Sequence, residues 1–350
     1  MRFEAYHRTA RFASLDGLRC LSILPVIWHH ATPRPLEGIL GRGPFGVDLF
    51  FAISGFLITT LLLREGEGLS LKNFYVRRAL RIFPLYYAVL GLYALRGWLL
   101  LPDSPIRSHF LRNLPFYSTY TSNWFVDFDV PHAIVFGFSW SLAVEEQFYL
   151  VWPWVLRARG RMHLPAVFML GCLALDYTLE HGHLAAYVDS TGLAHRILTS
   201  MATPICLGAV VAYALHFRKS FSAVDTMLGR RCSAPILLLA LAGLLAADGT
   251  PLFVIHIVMA LLVASVCIRG DHGLSKLLDI PVLRLVGVVS YGMYLFHVSV
   301  ITGVKWLLPD AWRLAPVLFV LATCITFALA WGSYRFFEMP FLGLKNRFRS

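Results

Sequence analysis

The sequence predicts an all-α polytopic membrane protein of about ten transmembrane helices, both termini cytoplasmic, and three observations carry that prediction. Composition comes first. Of the 350 residues, 57% are hydrophobic, 14% aromatic and 15% charged, with a mean hydropathy of +0.65. Soluble domains carry about 25% charged residues, so a water-soluble enzyme is excluded. Disorder and collagen-like repeats are excluded too, because Gly and Pro follow no period. Second, apolar stretches of about 17 to 24 residues recur along the chain, the length that crosses about 30 Å of hydrocarbon. Third, the basic residues alternate in density between successive connections. With the N-terminus inside, inner segments hold 23 of the 31 Lys and Arg and outer segments hold 8. That bias is how cytoplasmic loops are marked, so the net charge of +11 is orientation signal rather than a nucleic-acid footprint.

Taken in order, the apolar stretches run at 15–33, 44–63, 82–101, 136–156 and 163–179, then at 197–216, 232–248, 251–268, 285–307 and 314–334. The first follows Arg2, Arg8 and Arg11 in the manner of a signal peptide, but Arg19 and the pair His29-His30 lie inside it. An uncleaved first helix is expected. Asp248-Gly249-Thr250-Pro251 supplies the turn that divides 232–248 from 251–268. The inner Arg64–Arg81 and the outer Pro102–Val135 are too long to be turns. The outer one carries Asn113, Tyr117, Tyr120, Asn123 and Trp124, whose aromatic faces and amides suit a sugar. No soluble domain is expected at either end, so residues 1–350 read as a single integral-membrane domain. The cysteines Cys20, Cys172, Cys206, Cys232, Cys267 and Cys324 form no C-x-x-C pair, and neither a metal site nor a structural disulfide is expected.

An ionisable group inside a spanning helix costs at least about 2.5 to 3.5 kcal/mol on insertion scales, so each one is a candidate for function. Arg19 lies near the inner end of the first helix, and His29 and His30 lie about 15 to 17 Å farther along its axis, toward the outer leaflet. The second helix opens Gly46-Val47-Asp48-Leu49, placing the Asp48 carboxylate at that depth as a neighbour able to orient a first-helix imidazole. As a bland alternative, Asp48 caps the second helix. The fourth helix carries Glu145 and Glu146. Ser141, Glu145 and Tyr149 share one face at i, i+4 and i+8, while Glu146 points about 100° away. In the ninth helix, His297 follows Tyr291 and Tyr294 near mid-depth. On the inner side, Arg78 and Arg81 form one cationic face, suited to a phosphate-bearing ligand or, more plainly, to anchoring at lipid phosphates.

These segments resemble acyltransferase family 3, the integral-membrane O-acyltransferases. Leu15-Asp16-Gly17-Leu18-Arg19 is followed after ten residues by His30, then by Gly46 through Ile58 with Asp48 in its first turn. The pair Arg78-x-x-Arg81, the run Ser141-x-x-x-Glu145-x-x-x-Tyr149, the segment Tyr291 through His297 and the terminal Phe337-Glu338-Met339-Pro340 match the later motifs in order. The family spacing selects His30 over His29 and Glu145 over Glu146.

The resemblance implies transfer of an acyl group, often acetyl, from cytosolic acyl-CoA to a hydroxyl, commonly on an envelope glycan, with no permanently bound cofactor. It implies a stand-alone form, because the sequence ends at Ser350 just past the last helix, and a bacterial inner membrane. His30 is expected as general base, oriented by Asp48 or Glu145, with Arg19, Arg78 and Arg81 on the donor phosphates and Ser141, Tyr149, Tyr291 and His297 in support. No Ser or Cys stands in a nucleophile elbow. The rival from another class is a proton-coupled transporter or flippase, since buried carboxylates and histidines also mark pumps; no internal repeat or paired broken helices favour it.

Overall fold

The computed structural model describes residues 2–32, 38–68, 70–99, 104–127, 136–157, 164–184, 186–189, 192–200 and 202–348. The two ends of the expected outer segment, Pro102 and Val135, lie outside them. Helix is the regular structure of the described residues. In chain order the α-helices are α1 (Arg2–Arg8), α2 (Ala13–Ala31), α3 (Phe45–Glu65), α4 (Leu71–Leu99), α5 (Pro105–Ser118) and α6 (Ser122–Phe125). There follow α7 (Ser139–Arg157), α8 (Leu164–Glu180), α9 (Leu193–Leu198), α10 (Thr203–His216), α11 (Arg218–Leu228) and α12 (Ser233–Ala246). The last are α13 (Leu252–Ile268), α14 (Ser275–Leu278), α15 (Pro281–Leu307), α16 (Ala315–Ser333) and α17 (Met339–Leu344).

All ten expected apolar stretches overlap helices. Among the described residues, five helices are long and apolar enough to cross a membrane, or six if α11 and α12, bent by 70°, make one span. The third expected stretch differs most: α4 begins at Leu71, eleven residues before 82. Arginine and lysine are good helix formers, so the basic segment is helical although it is too polar for the hydrocarbon. Pro84 lies within this helix.

The chain divides into two compact units, one of residues 1–67 and 204–340, the other of 68–203 and 341–350. In the first, α2 is the central helix, packed along α15 and α3. Small residues let these backbones approach, the means by which helices associate without a hydrophobic driving force between them. A Cβ on Gly287 would stand 1.8 Å from the Asp16 carbonyl oxygen, and one on Gly17 would stand 2.3 Å from that of Leu278. The core of this unit gathers Leu15, Leu18, Ile53, Phe56, Met259, Leu262 and Val263.

At one end of that unit Arg64, in the last turn of α3, donates from Nη1 to the Thr9 carbonyl at 2.6 Å and from Nη2 to that of Tyr6 at 2.7 Å. Its guanidinium lies 5.2 Å from the centroids of both Tyr6 and Phe12. Carbonyls at and just past the end of α1 thereby gain a charged donor from another helix. Burial pushes the Tyr6 phenol up to about 12. Nearby in sequence to neither, the buried His272 lies 2.9 Å through Nε2 from Ser14 Oγ, and Ser14 donates to Asp279 Oδ1 at 2.9 Å. After α16, a π-helical turn at Tyr334–Glu338 leads into Met339-Pro340, whose proline lacks the N–H that an α-turn needs.

The second unit has an aromatic interior. Tyr86 stacks on Tyr120 with centroids 4.3 Å apart, and Phe136 packs against Tyr93, Tyr117 and Phe138. Tyr120 has φ +54°, a left-handed conformation that a residue with a bulky side chain adopts only when its surroundings hold it. The holding contacts are the stack on Tyr86 and a hydrogen bond of 2.9 Å from Gln147 Nε2 to the Tyr120 carbonyl. Gln147 and Asn123 also exchange two amide hydrogen bonds, at 2.8 and 3.0 Å.

Candidate active site

In the first unit the candidate residues collect at the C-terminal end of α2. His30 is exposed, and its Nδ1 lies 2.9 Å from the Val26 carbonyl, four residues back on the same helix. A carbonyl only accepts, so Nδ1 carries the proton and Nε2 is the basic nitrogen of the neutral ring. Against it stands His297 of α15, fully buried, with ring centroids 4.8 Å apart at an interplanar angle of 76°. His297 Nδ1 lies 2.5 Å from the Tyr294 carbonyl, and the Tyr294 ring is 5.4 Å away. Tyr291 is half-buried one turn before Tyr294. Lys305, near the end of α15, reaches the His30 carbonyl oxygen at 3.4 Å, a cation at the negative end of α2.

Asp48 corrects an expectation. Its carboxylate does not orient a first-helix histidine: Oδ2 is 3.3 Å from Nε2 of His256, on α13. The cause is packing, because α3 lies against both α2 and α13, and the carboxylate in its first turn meets the α13 side. The close approach of α3 to α2 rests on Gly46, where a Cβ would stand 2.2 Å from the Ser22 carbonyl oxygen. Arg19 lies on α2 eleven residues before His30, and its Nη1 is 3.6 Å from Asp16 Oδ1. Arg11 donates to the other oxygen of the same carboxylate.

In the second unit Tyr149 donates its hydroxyl to Glu145, one turn before it on α7. The guanidinium of Arg78, on α4, lies 3.7 Å from the centroid of the Tyr149 ring. Such a cation over an aromatic face is held more firmly the less water reaches it. Glu146 and Glu145 lie close enough to Arg78 to interact with it electrostatically. Arg78 is thus drawn into the unit by carboxylates and a ring, while Arg81, three residues on along the same helix, is exposed. Ser141, buried, donates to the Phe138 carbonyl at 3.0 Å and so helps to start α7.

Two residues escaped the sequence reading. His256 is an ionisable group in an apolar helix, the same signal that singled out His297. Asp16 lies within the segment that carries Arg19, and the spacing of three residues that lets them pair was legible.

Comparison with known proteins bears on these clusters. The family profile described as an acyltransferase domain matches residues 12–335. A protein of Listeria monocytogenes named peptidoglycan O-acetyltransferase OatA is 29% identical over 378 residues, which cover 95% of this chain and 57% of that protein. One of Bacillus subtilis named "Putative peptidoglycan O-acetyltransferase YrhL" is 30% identical over 374 residues, covering 96% and 56%. A Staphylococcus aureus protein named "Putative O-acetyltransferase" is 30% identical over 370 residues, covering 97% and 58%. The chain therefore spans a little over half the length of the curated relatives it matches. No solved structure matches it. With the profile covering nearly the whole chain, and with the apolar helices of a multi-pass membrane protein, this chain belongs to acyltransferase family 3.

Proposed function

We propose that the protein transfers an acetyl group from cytosolic acetyl-CoA to a hydroxyl of a cell-envelope glycan, with peptidoglycan the first acceptor to test, in a bacterial inner membrane. The observation that carries the reading is His30: an exposed imidazole whose Nδ1–H is engaged by its own helix, leaving Nε2 as the base. In the reaction, Nε2 takes the acceptor hydroxyl proton as that oxygen attacks the thioester carbonyl. The carbon–sulfur bond breaks, and the CoA thiolate leaves and is protonated.

His297 backs the His30 ring and limits its rotation, and Asp48, held 3.3 Å from His256 in the same unit, is the carboxylate assigned to balance the imidazolium as it forms. In the first unit Arg19, after exchanging its pairing with Asp16, is assigned to a donor phosphate, and in the second unit the exposed Arg81 is assigned the same kind of ligand. Arg78, set by Tyr149 and Glu145, positions the donor rather than meeting it in the open. The names of the relatives support acetyl as the group transferred and peptidoglycan as the acceptor class.

The test is thiol release from radiolabelled acetyl-CoA by purified protein with a panel of envelope glycans. Wild type should free thiol and label one glycan; His30→Ala and Glu145→Gln should lose about 10² to 10⁴ of the rate, as expected when acid–base machinery is removed. Full activity in His30→Ala refutes the base. Acceptor-independent absence of both thiol release and CoA binding in wild type favours the transporter instead.

A further inference from the structure

We infer that His256 is a positioning residue, which holds the Asp48 carboxylate in place for acyl transfer through an Nε2–H···Oδ2 hydrogen bond. The inference rests on the reading that Asp48 takes part in that reaction. The seventeen residues of α13, Leu252–Ile268, are apolar except for His256 and Ser265. Packing alone gives no reason for an imidazole in such a helix, where leucine or phenylalanine would fill the same space.

The geometry supplies one. His256 is 7% exposed, and its Nε2 lies 3.3 Å from Asp48 Oδ2. A carboxylate only accepts, so Nε2 carries the hydrogen and Nδ1 the lone pair. That Nδ1 is buried and has no hydrogen-bond partner. Buried polar atoms are almost always paired, so the ring is kept for what its other nitrogen does. Asp48, in the first turn of α3 with its side chain 25% exposed, has one oxygen fixed from behind and the carboxylate still reachable from the other side. Asp48 is thus restrained by α13, and His30 by α2 and α15, so the base and the countercharge are set by different elements of one unit.

The experiment uses three variants of the full chain in detergent or nanodiscs, with acetyl-CoA and the acceptor that wild type labels. His256→Leu keeps the volume and removes the donor; kcat should fall about tenfold or more with KM for acetyl-CoA within about twofold. His256→Gln places an amide N–H where Nε2 stood and should restore kcat to within about threefold of wild type. Asp48→Asn combined with His256→Leu should lose no more than Asp48→Asn alone, because His256 acts through Asp48.

Unchanged kcat in His256→Leu, equal loss in the Leu and Gln variants, or additive loss in the double variant each overturns the inference. If His256→Leu does not fold, the Gln variant and a spectrum decide. Solid-state 15N spectra of histidine-labelled protein should show His256 as the Nε2–H tautomer, with a shift that moves in Asp48→Asn. A His256 signal indifferent to Asp48→Asn refutes the pairing. Wild-type protein that frees no thiol with any acceptor, while the 15N pairing is present, refutes the acyl-transfer reading and not the contact.

Discussion

A methyl group at Gly287 is the sharpest test of how α2 and α15 are held. It would stand 1.8 Å from the Asp16 carbonyl oxygen and 2.5 Å from the carbonyl carbon. Ordinary contact begins near 3.4 Å, so the two helices must part by roughly 1.6 Å where they cross. Nothing at the far end of a flexible side chain can give way, because the opposing atoms are backbone. Gly17 meets the Leu278 carbonyl oxygen beside it and leaves no slack on the other flank. Overpacking costs about 1 to 3 kcal/mol, and this backbone clash belongs at the upper end. The strain also reaches the site, since α2 carries His30 and α15 carries His297. A shift of about 1 Å in a reacting group costs up to about 10² in rate. We expect Gly287→Ala to melt several degrees below wild type by tryptophan fluorescence and to lose at least about tenfold of the proposed acetyl transfer. Gly303→Ala, on the same helix with nothing within 4 Å of the added carbon, is the control. It should melt at or slightly above wild type, because alanine is the better helix former by about 1 kcal/mol. Gly287→Ala melting level with Gly303→Ala would refute the close-contact argument.

Other predictions concern contacts away from His30, His256 and His297. Burial holds His272 below its ordinary 6.5, so the unfolded chain binds a proton there before the folded one does. Stability is therefore full above 6.5 and falls as pH drops below it; the melting temperature should decline from pH 7.5 to 5.5, and His272→Gln, which keeps a donor for Ser14 but does not titrate, should flatten that slope. Replacing Arg64 by Met strips two carbonyls of their charged donor and should cost about 2 to 3 kcal/mol, read as a lower denaturation midpoint; Arg64→Lys should recover only part, lacking the fork. Gln147→Leu removes the amide pair with Asn123 and the donor to the Tyr120 carbonyl, and should destabilise by about 1 to 3 kcal/mol with increased proteolysis near residue 120. Equal protease resistance in wild type and Gln147→Leu would show that the stack on Tyr86 alone holds Tyr120.

The helices were legible because hydropathy is local: a stretch such as 44–63 carries its own reason to be a helix in a membrane, and α3 occupies it. The start of α4 was not, since apolarity marks the hydrocarbon and not the first helical residue. Spacing along one helix was readable wherever both partners lie on it, as with Tyr149 and Glu145 or Arg19 and Asp16. Partners from distant segments were not. Asp48 finds a histidine 208 residues away, and Ser14 finds one 258 residues away, through the packing of whole helices. For the same reason Arg78 and Arg81 look equivalent in sequence, one turn apart, until a ring from α7 meets one of them.

The contact between His30 Nδ1 and the Val26 carbonyl has a consequence for how the protein tolerates change. Many catalytic imidazoles have their tautomer fixed by a carboxylate, and one substitution at that carboxylate scrambles it. Here the acceptor is main chain, and every amino acid at position 26 other than one that breaks the helix supplies the same oxygen. The protonation pattern of His30 is inherited with the helical backbone, so the surrounding side chains are open to change without disturbing it.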